Sequence, residues 1–228
     1  LAALKTFFDF MVTGHFVQFN PAASVKGPRY SVRRGLTPSI EPGEVRLLLD
    51  GIDVTTPIGL RDRALIGLMV FTFARIGAAV KMSVEDAFVQ NRRLWVRLHE
   101  RGGRVKELPC QHNLEEYLHV YIEGAGLAED PRGPLFRSFG REAKALIRKP
   151  MSQADAWDMI ARRRDAVGIK TKIGNHSFRA AGITSFLSNG GDLNAAANIA
   201  NHADIRTTRL YDRRQDDITL DEVERIRI

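Results

Sequence analysis

The sequence has a single cysteine, Cys110, among its 228 residues, which excludes an internal disulfide bond. A chain without disulfides is typical of a reducing compartment, so we expect a cytoplasmic protein, and we interpret Cys110 as a packing residue. Long apolar runs are also missing, because the longest one, residues 64–74, is too short to cross a bilayer. No secretory signal, internal repeat or low-complexity segment is evident. We therefore expect no membrane partner.

The sequence also lacks a cluster of metal-ligating residues and a glycine-rich phosphate-binding loop. We therefore expect neither a metal nor a cofactor. A protein of this kind that acts on phosphate has to rely on side chains, above all on guanidinium groups, imidazoles and phenols.

Positive charge is in excess, with a formal net charge of +7 and a pI near 9.8. The excess is concentrated in residues 132–172, which carry eleven Lys or Arg and four acidic residues. Such a stretch can be a solvated helical face. A second basic run, Lys26 to Arg34, favours instead a track for nucleic acid.

The residue pattern divides the chain into three parts. Residues 1–21 contain an amphipathic helix, Leu1 to Val17, which ends before Asn20-Pro21 and which we interpret as the last helix of a truncated domain. Residues 22–35, with Gly27-Pro28 and four cationic residues, are typical of a basic linker. Residues 36–228 are predicted to form a compact domain.

The compact domain is predicted to have an α+β fold that is mostly α-helical, with one small three-stranded antiparallel sheet. The strands are predicted over residues 84–88, 93–98 and 105–110, with Gly102-Gly103 as the turn of the last hairpin. The apolar periodicity predicts helices over residues 41–50, 60–75, 113–124, 152–167, 176–190, 193–201, 206–213 and near 220–226.

Five residues of this domain form an ordered set that suits phosphate chemistry: Arg75, His176, Arg179, His202 and Tyr211. Two guanidinium groups can hold a phosphate, a histidine can move a proton, and a phenol can attack phosphorus. His176 and Arg179 lie one helical turn apart, on the same face. Tyr211 follows His202 by nine positions, which is close enough for both to reach one pocket.

Each of these residues, taken alone, has a structural interpretation. Arg75 can be a cation at the C-terminus of a helix, and His176 and Arg179 can be an exposed pair on one helical face. His202 can be a hydrogen-bonded structural histidine, and Tyr211 can be a half-buried packing residue. The joint order of the five favours a catalytic set.

The C-terminal part of the chain resembles the tyrosine recombinases of the phage-integrase type. The resemblance rests on His176-Ser-Phe-Arg179, Asn201-His202, Thr207-Thr208 and Leu210-Tyr211-Asp212-Arg213, and on Phe73-Ala-Arg75-Ile-Gly for the first arginine. It covers roughly residues 36–228 and implies the tyrosine recombinase catalytic fold, preceded by the end of a core-binding domain.

The resemblance implies a role for each residue. Tyr211 is expected to be the nucleophile that forms a 3′-phosphotyrosyl link, and Arg75 and Arg179 are expected to neutralise the non-bridging phosphate oxygens. His176 is expected to accept and donate a proton near the tyrosine, and His202 to hydrogen-bond the scissile phosphate. The covalent intermediate conserves the energy of the phosphodiester, so neither ATP nor a metal is required.

Two positions depart from the family pattern. The family usually has a lysine in the turn between its second and third strands, which protonates the departing 5′-oxygen, and Arg101 is the best match here, with Lys106 as the alternative. An arginine keeps the charge but is a poor proton donor. An acidic residue is common three positions after the first arginine, and Ala78 stands there. Arg75 is therefore expected to be less firmly oriented.

The predicted function is that of a site-specific DNA recombinase or integrase. Two alternatives remain open: a catalytically impaired homologue that acts as an accessory or regulatory DNA-binding protein, and an enzyme like the type IB topoisomerases. The resemblance implies double-stranded DNA as partner and a bacterial, nucleoid-associated location. The tail over residues 212–228 can pack on its own domain or, as the family implies, dock on a neighbour to give a synaptic tetramer.

Overall fold

The computed structural model describes residues 1–27, 40–140 and 142–212, and of Arg101 it describes the backbone alone. The chain forms two compact units, Leu1–Arg33 and Arg34–Ile228. Much of the predicted linker and the helix predicted near residues 220–226 lie outside the described residues. Within the described ranges, no helix has the length and apolar character needed to cross a membrane.

The first unit contains helix α1 (Ala2–Thr13), which is shorter than the helix predicted over residues 1–17. Gly14 caps the helix, and His15 follows with a φ of 58°, a left-handed conformation in which a helix ends. Asn20 lies against α1, because its Nδ2 donates a hydrogen bond to the backbone carbonyl of Lys5 at 3.1 Å. The return of the chain therefore begins at Gly14, earlier than Asn20-Pro21.

The described part of the second unit is mainly helical and has two small sheets. Its helices are α2 (Pro42–Asp50), α3 (Pro57–Phe71), α4 (Ile76–Ala79), α5 (His112–Gly124), α6 (Gln153–Ala166), α7 (Asn175–Ser188), α8 (Leu193–Ile199) and α9 (Ile205–Arg209). Its strands are β1 (Ala87–Gln90), β2 (Arg93–His99), β3 (Val105–Pro109), β4 (Arg137–Gly140) and β5 (Ala145–Pro150).

Helix α3 is the centre of the main core. It begins where Thr56 Oγ1 accepts a hydrogen bond from the Gly59 N–H at 3.1 Å, with Pro57 in the first turn. The helix is buried on most sides, and Arg61 and Asp62 are buried with its apolar residues as an ion pair at 2.6 Å. It packs against α5 and α7, and its buried side chains include Ala64, Leu65, Ile66, Leu68 and Met69.

The three-stranded antiparallel sheet has the order β1-β2-β3, as predicted. Leu94, Val96 and Leu98 alternate toward the core along β2, while the intervening side chains are less buried. The predicted turn is also present, since Gly102 and Gly103 have φ values of 74° and 73°, which favour glycine. The first strand begins later than predicted, because residues 84–86 form a 3₁₀ turn.

A second antiparallel pair, β4 and β5, lies within the basic stretch and has no counterpart in the sequence-based prediction. Its strands are short, and their residues are exposed or half-buried, so the apolar alternation that identifies the first sheet is weak here. The hairpin places Arg137, Arg148 and Lys149 on strands instead of a helical face.

The helix predicted over residues 60–75 ends at Phe71, so Arg75 is not a helix C-terminal cation. Phe73 has a φ of 54° and turns the chain, and Arg75 then adopts an extended conformation with a ψ of 138° directly before α4. A left-handed conformation at a phenylalanine is costly and is held by its surroundings. The Phe73 ring packs edge to face on Phe186 of α7, with centroids 6.1 Å apart.

A smaller core joins α7 to α8 and supports this turn. Gly182 lets α7 approach the end of α3, since a Cβ at this position would lie 2.1 Å from the carbonyl oxygen of Val70. The buried side chains of this smaller core are Phe73, Ile183, Leu187, Ala196 and Ala200.

Candidate active site

Arg179 joins two separate segments of the chain. Its side chain on α7 is buried; Nη1 donates to the backbone carbonyl of Phe73, and Nη2 donates to that of Ala200 at 2.5 Å. Phe73 precedes Arg75 by two residues, and Ala200 precedes His202 by two. Arg179 therefore fixes the segments that carry two other predicted residues. Each terminal nitrogen has a second N–H that can reach a phosphate oxygen.

Arg75 lies near Arg179 and is partly open to solvent, with 38% of its side chain exposed. Its Nη1 forms an ion pair with Oε2 of Glu100, whose side chain is only 6% exposed. Although Ala78 stands where the family commonly has an acidic residue, Glu100 provides Arg75 with a carboxylate partner. The charge of Arg75 contributes to lowering the pKa of Arg179, so the two guanidinium groups lie within electrostatic reach of each other.

His202 is held through one ring nitrogen. Its Nδ1 lies 2.8 Å from Oγ1 of Thr208, which is fully buried, so Nε2 is the nitrogen available to another partner. Burial, and then the charges of Arg179 and Arg75, lower the pKa of His202 to about 4. The ring is therefore neutral near pH 7 and has one N–H. When the Thr208 hydroxyl donates to Nδ1, that N–H is on Nε2.

Tyr211 lies in the site of its own chain. Its ring stacks on His202, with centroids 6.0 Å apart and an interplanar angle of 11°. Its backbone carbonyl accepts a hydrogen bond from Thr184 Oγ1 at 3.0 Å, and its N–H donates to the carbonyl of Thr208 at 2.9 Å. These contacts connect the segment after α9 to α7, which also carries Arg179.

The charges of Arg75, Tyr211 and Glu100 all act on the pKa of Arg179, in agreement with the contacts that group these residues. Burial, followed by the charge of Arg75, lowers the pKa of Arg179 to about 10, whereas Tyr211 and Glu100 act in the opposite direction. A pKa of about 10 leaves the guanidinium group charged at neutral pH. The group therefore contains two cations, a neutral imidazole and a phenol, a combination that suits a phosphate.

The hairpin between β2 and β3 brings the backbone of Arg101 close to Arg75, because Arg101 directly follows Glu100. The side chain of Arg101 is outside the described atoms. Lys106, the alternative to Arg101, lies on β3, and its Nζ donates to Asn198 Oδ1 of α8 at 2.6 Å. In this structure Lys106 therefore bridges the sheet to α8.

His176 lies on the first turn of α7 and is exposed. The helix begins with Ser177 Oγ accepting a hydrogen bond from the Gly174 N–H at 3.1 Å, so Ser177 helps to cap it. Among the described residues, His176 shares no hydrogen bond with the other predicted site residues. The structure thus groups Arg75, Arg179, His202 and Tyr211, and leaves His176 one turn away at the surface.

Three supporting residues were not singled out from the sequence as parts of the site. Thr208 stands in the quoted Thr207-Thr208 pair, which was a signal for it, but its bond to His202 follows only from the fold. Thr184 and Glu100 have no local signal, since their partners lie 27 and 25 residues away.

The cations of residues 132–172 are partly neutralised within the protein. Arg137 and Arg148 both bind Asp130, at 2.7 Å, and Arg163 binds the buried Asp62 at 2.7 Å. Within the described part of this stretch, the cations without an ion pair are Arg132, Lys144, Lys149, Arg162, Lys170 and Lys172. These six are the ones available to a polyanion.

The sequence matches a known protein family and curated relatives. Residues 38–217 match the model of the phage integrase family. Tyrosine recombinase XerC of Escherichia coli O157:H7 is 26% identical over 215 residues, which are 92% of this chain and 67% of the relative.

Solved structures of DNA recombinases share the fold. XerA recombinase superposes with a TM-score of 0.66 at 18% identity, over 94% of this chain and 79% of XerA. A lambda integrase dimer bound to a COC′ core site has a TM-score of 0.68 at 17% identity, over 96% of this chain and 60% of the integrase chain. The post-cleavage complex of XerH with palindromic difH has a TM-score of 0.65 at 20% identity, over 83% of this chain and 53% of the XerH chain.

The fold is that of the tyrosine recombinase catalytic domains. The chain belongs to the phage integrase family, because the family model matches well over half of its residues. The predicted family and the predicted fold class are therefore confirmed. The chain spans about two thirds of the length of the XerC relative and 53% of the XerH chain.

Proposed function

We propose that this chain is the catalytic part of a site-specific DNA recombinase that cleaves and rejoins DNA through a 3′-phosphotyrosyl intermediate. The observation that carries the proposal is the stacking of Tyr211 on His202 within electrostatic reach of Arg75 and Arg179. The relatives support it, since XerC is a tyrosine recombinase and the XerH structure is a post-cleavage complex with its difH substrate.

Cleavage is a transesterification at the scissile phosphate. The Tyr211 phenol loses its proton and attacks phosphorus, a bond from the tyrosine oxygen to phosphorus forms, and the bond to the 5′-oxygen breaks. The 5′-oxygen takes up a proton and leaves as a hydroxyl. Rejoining is the reverse attack by a 5′-hydroxyl, on the same or another strand, so the energy of the bond is conserved.

Arg75 and Arg179 stabilise the charge that builds on the non-bridging oxygens during this step. Arg179 is already fixed by two backbone carbonyls, so little reorganisation is needed when the phosphate arrives. His202 is neutral and donates a hydrogen bond to the phosphate through Nε2, with Thr208 at its other nitrogen.

Proton transfer is assigned to His176 and Arg101. His176 is exposed at the start of α7, one turn before Arg179, where a bound DNA strand can reach it, and it accepts the phenol proton. Arg101, whose backbone lies in the turn after β2, is assigned to the charge that develops on the 5′-oxygen. Because a guanidinium group is a weak acid, Arg101 stabilises this charge better than it delivers a proton.

The partner is double-stranded DNA. The unpaired cations of residues 132–172 provide contacts to phosphates, and such contacts make binding depend strongly on salt. We also propose self-association into a synaptic tetramer, and a lambda integrase tetramer bound to a Holliday junction has the same fold, with a TM-score of 0.67. The predicted docking tail, residues 212–228, lies outside the described residues except for Asp212.

The domain assignment is part of the proposal. Residues 1–21 are the end of a core-binding domain, residues 22–35 are a basic linker, and residues 36–228 are the catalytic domain. The division of the chain into two compact units, Leu1–Arg33 and Arg34–Ile228, supports this assignment. The protein then acts in the cytoplasm of a bacterium, on the nucleoid.

Trapping on a nicked DNA duplex tests the function. A nick just downstream of the cleavage site lets the short released fragment with the free 5′-hydroxyl diffuse away, so the covalent adduct accumulates and is counted on a denaturing gel. Wild type should form the adduct, whereas Tyr211→Phe should form none and bind the duplex within about twofold of wild-type affinity, since the phenyl ring can still stack on His202. Duplex binding without an adduct in wild type would refute the proposal and leave an impaired DNA-binding homologue.

A further inference from the structure

The carboxylate of Glu100 is the unexpected member of the site. Its side chain is 6% exposed, and it forms an ion pair with Arg75, a proposed catalytic cation. Burying a carboxylate is costly unless a cation pairs with it, so the ion pair with Arg75 is required for Glu100 to remain buried. The acid lies 25 positions after Arg75 in the chain, at the start of the turn that follows β2.

Glu100 acts on the cations around the phosphate position. Arg75 and Arg179 lie close enough that the charge of Arg75 lowers the pKa of Arg179, while Glu100 raises it. Without the carboxylate, the two guanidinium groups would repel each other in the absence of DNA. With it, Arg75 keeps a fixed place, and 38% of its side chain remains open to an incoming phosphate.

Glu100 also fixes the hairpin. Its backbone N–H donates to the carbonyl of Arg104 at 2.8 Å and closes the turn that contains Arg101. The ion pair with Arg75 therefore attaches the start of this turn to the arginine pocket. Glu100 therefore fixes the position of Arg75 relative to the backbone of Arg101.

We propose that Glu100 is a positioning residue, which holds Arg75 in its phosphate-binding orientation and anchors the turn carrying Arg101 before DNA arrives. This inference rests on the proposed function. The small exposed fraction of the Glu100 side chain shows that this carboxylate does not simply occupy the place of the phosphate, because that place has to be open to DNA.

The test compares Glu100→Gln with a matched control on the same hairpin. Glu107 of β3 binds Arg97 at 2.8 Å and is 43% exposed, so Glu107→Gln removes the same charge from the surface. In the nicked-duplex assay, Glu100→Gln should slow adduct formation by roughly 10- to 100-fold, as expected when a charge-assisted hydrogen bond is lost. Duplex affinity should match that of Glu107→Gln, and Glu107→Gln should cleave like wild type.

Equal cleavage rates for the two variants would overturn the inference and leave the proposed function intact. Faster cleavage and tighter binding by Glu100→Gln would also overturn it, because the carboxylate would then be a competitor of the phosphate. A wild type that forms no adduct would refute the function itself.

A second measurement needs no activity and no DNA. The thermal midpoints of Arg75→Gln, Glu100→Gln and the double variant form a double-mutant cycle. The shifts should be non-additive, since each single change breaks the same ion pair. Additive shifts would show that Glu100 does not hold Arg75, whatever the protein does to DNA.

Discussion

Acidification should destabilise the second unit through His202. The folded protein lowers the pKa of this ring to about 4, from 6.5 in an unfolded chain. Because the folded pKa is the lower one, the unfolded chain binds the proton first, and stability falls as the pH drops from about 6.5 towards about 4. Between pH 7 and pH 5, these two pKa values correspond to a loss of at most about 2 kcal/mol in the free energy of unfolding. Solvent screening of this partly buried ring reduces the expected loss to about 1 kcal/mol.

The measurement is urea unfolding at pH 7 and pH 5, for wild type and for His202→Gln. Tryptophan fluorescence reports on the unfolding of the second unit, because both tryptophans, Trp95 in β2 and Trp157 in α6, belong to that unit. The glutamine variant cannot take up the proton and keeps every other histidine. The free energy of unfolding should therefore fall by about 1 kcal/mol more in wild type than in the variant.

The same loss in both proteins would refute this account of His202. The folded protein would then not lower the pKa of the ring, and acid would protonate His202 as readily in the folded state as in the unfolded chain. A larger loss in the variant would point to other titrating groups as the source of the pH dependence.

Two further predictions concern residues around the phosphate. Thr208→Val removes the hydroxyl that holds His202 Nδ1 and keeps the shape of the side chain, so the free energy of unfolding should fall by about 1 kcal/mol and adduct formation by roughly tenfold. Thr207→Val, at the exposed neighbour, is the control, and equal effects of the two changes would contradict the role of Thr208. Arg101→Lys should speed adduct formation by roughly tenfold, because an ammonium group is a stronger acid than a guanidinium group. Arg104→Lys is its control, and an unchanged rate for Arg101→Lys would show that the leaving oxygen does not draw its proton from this turn.

Local patterns predicted those features whose causes are local. The sheet followed from alternation along β2 and from the Gly102-Gly103 turn, and both are present. The helix with His176 and Arg179 followed from apolar spacing, and it begins within one residue of the prediction. In these segments burial and backbone preference point to the same structure.

Features that depend on distant contacts could not be predicted in this way. The end of α3 was placed four residues too late, because Phe73 adopts a left-handed conformation without a glycine or proline to signal it. The partnership of Glu100 with Arg75 depends on how the sheet packs against the turn before α4, which no short window of sequence contains. The β4–β5 pair was missed because its strands carry charges in place of alternating apolar residues.

The two backbone bonds of Arg179 have a consequence for when the enzyme becomes active. Its guanidinium group reaches carbonyls 106 residues earlier and 21 residues later in the chain, so its final position exists only after α3, α7 and α8 have docked. A nascent or partly unfolded chain therefore carries the nucleophile without an assembled trap for phosphate.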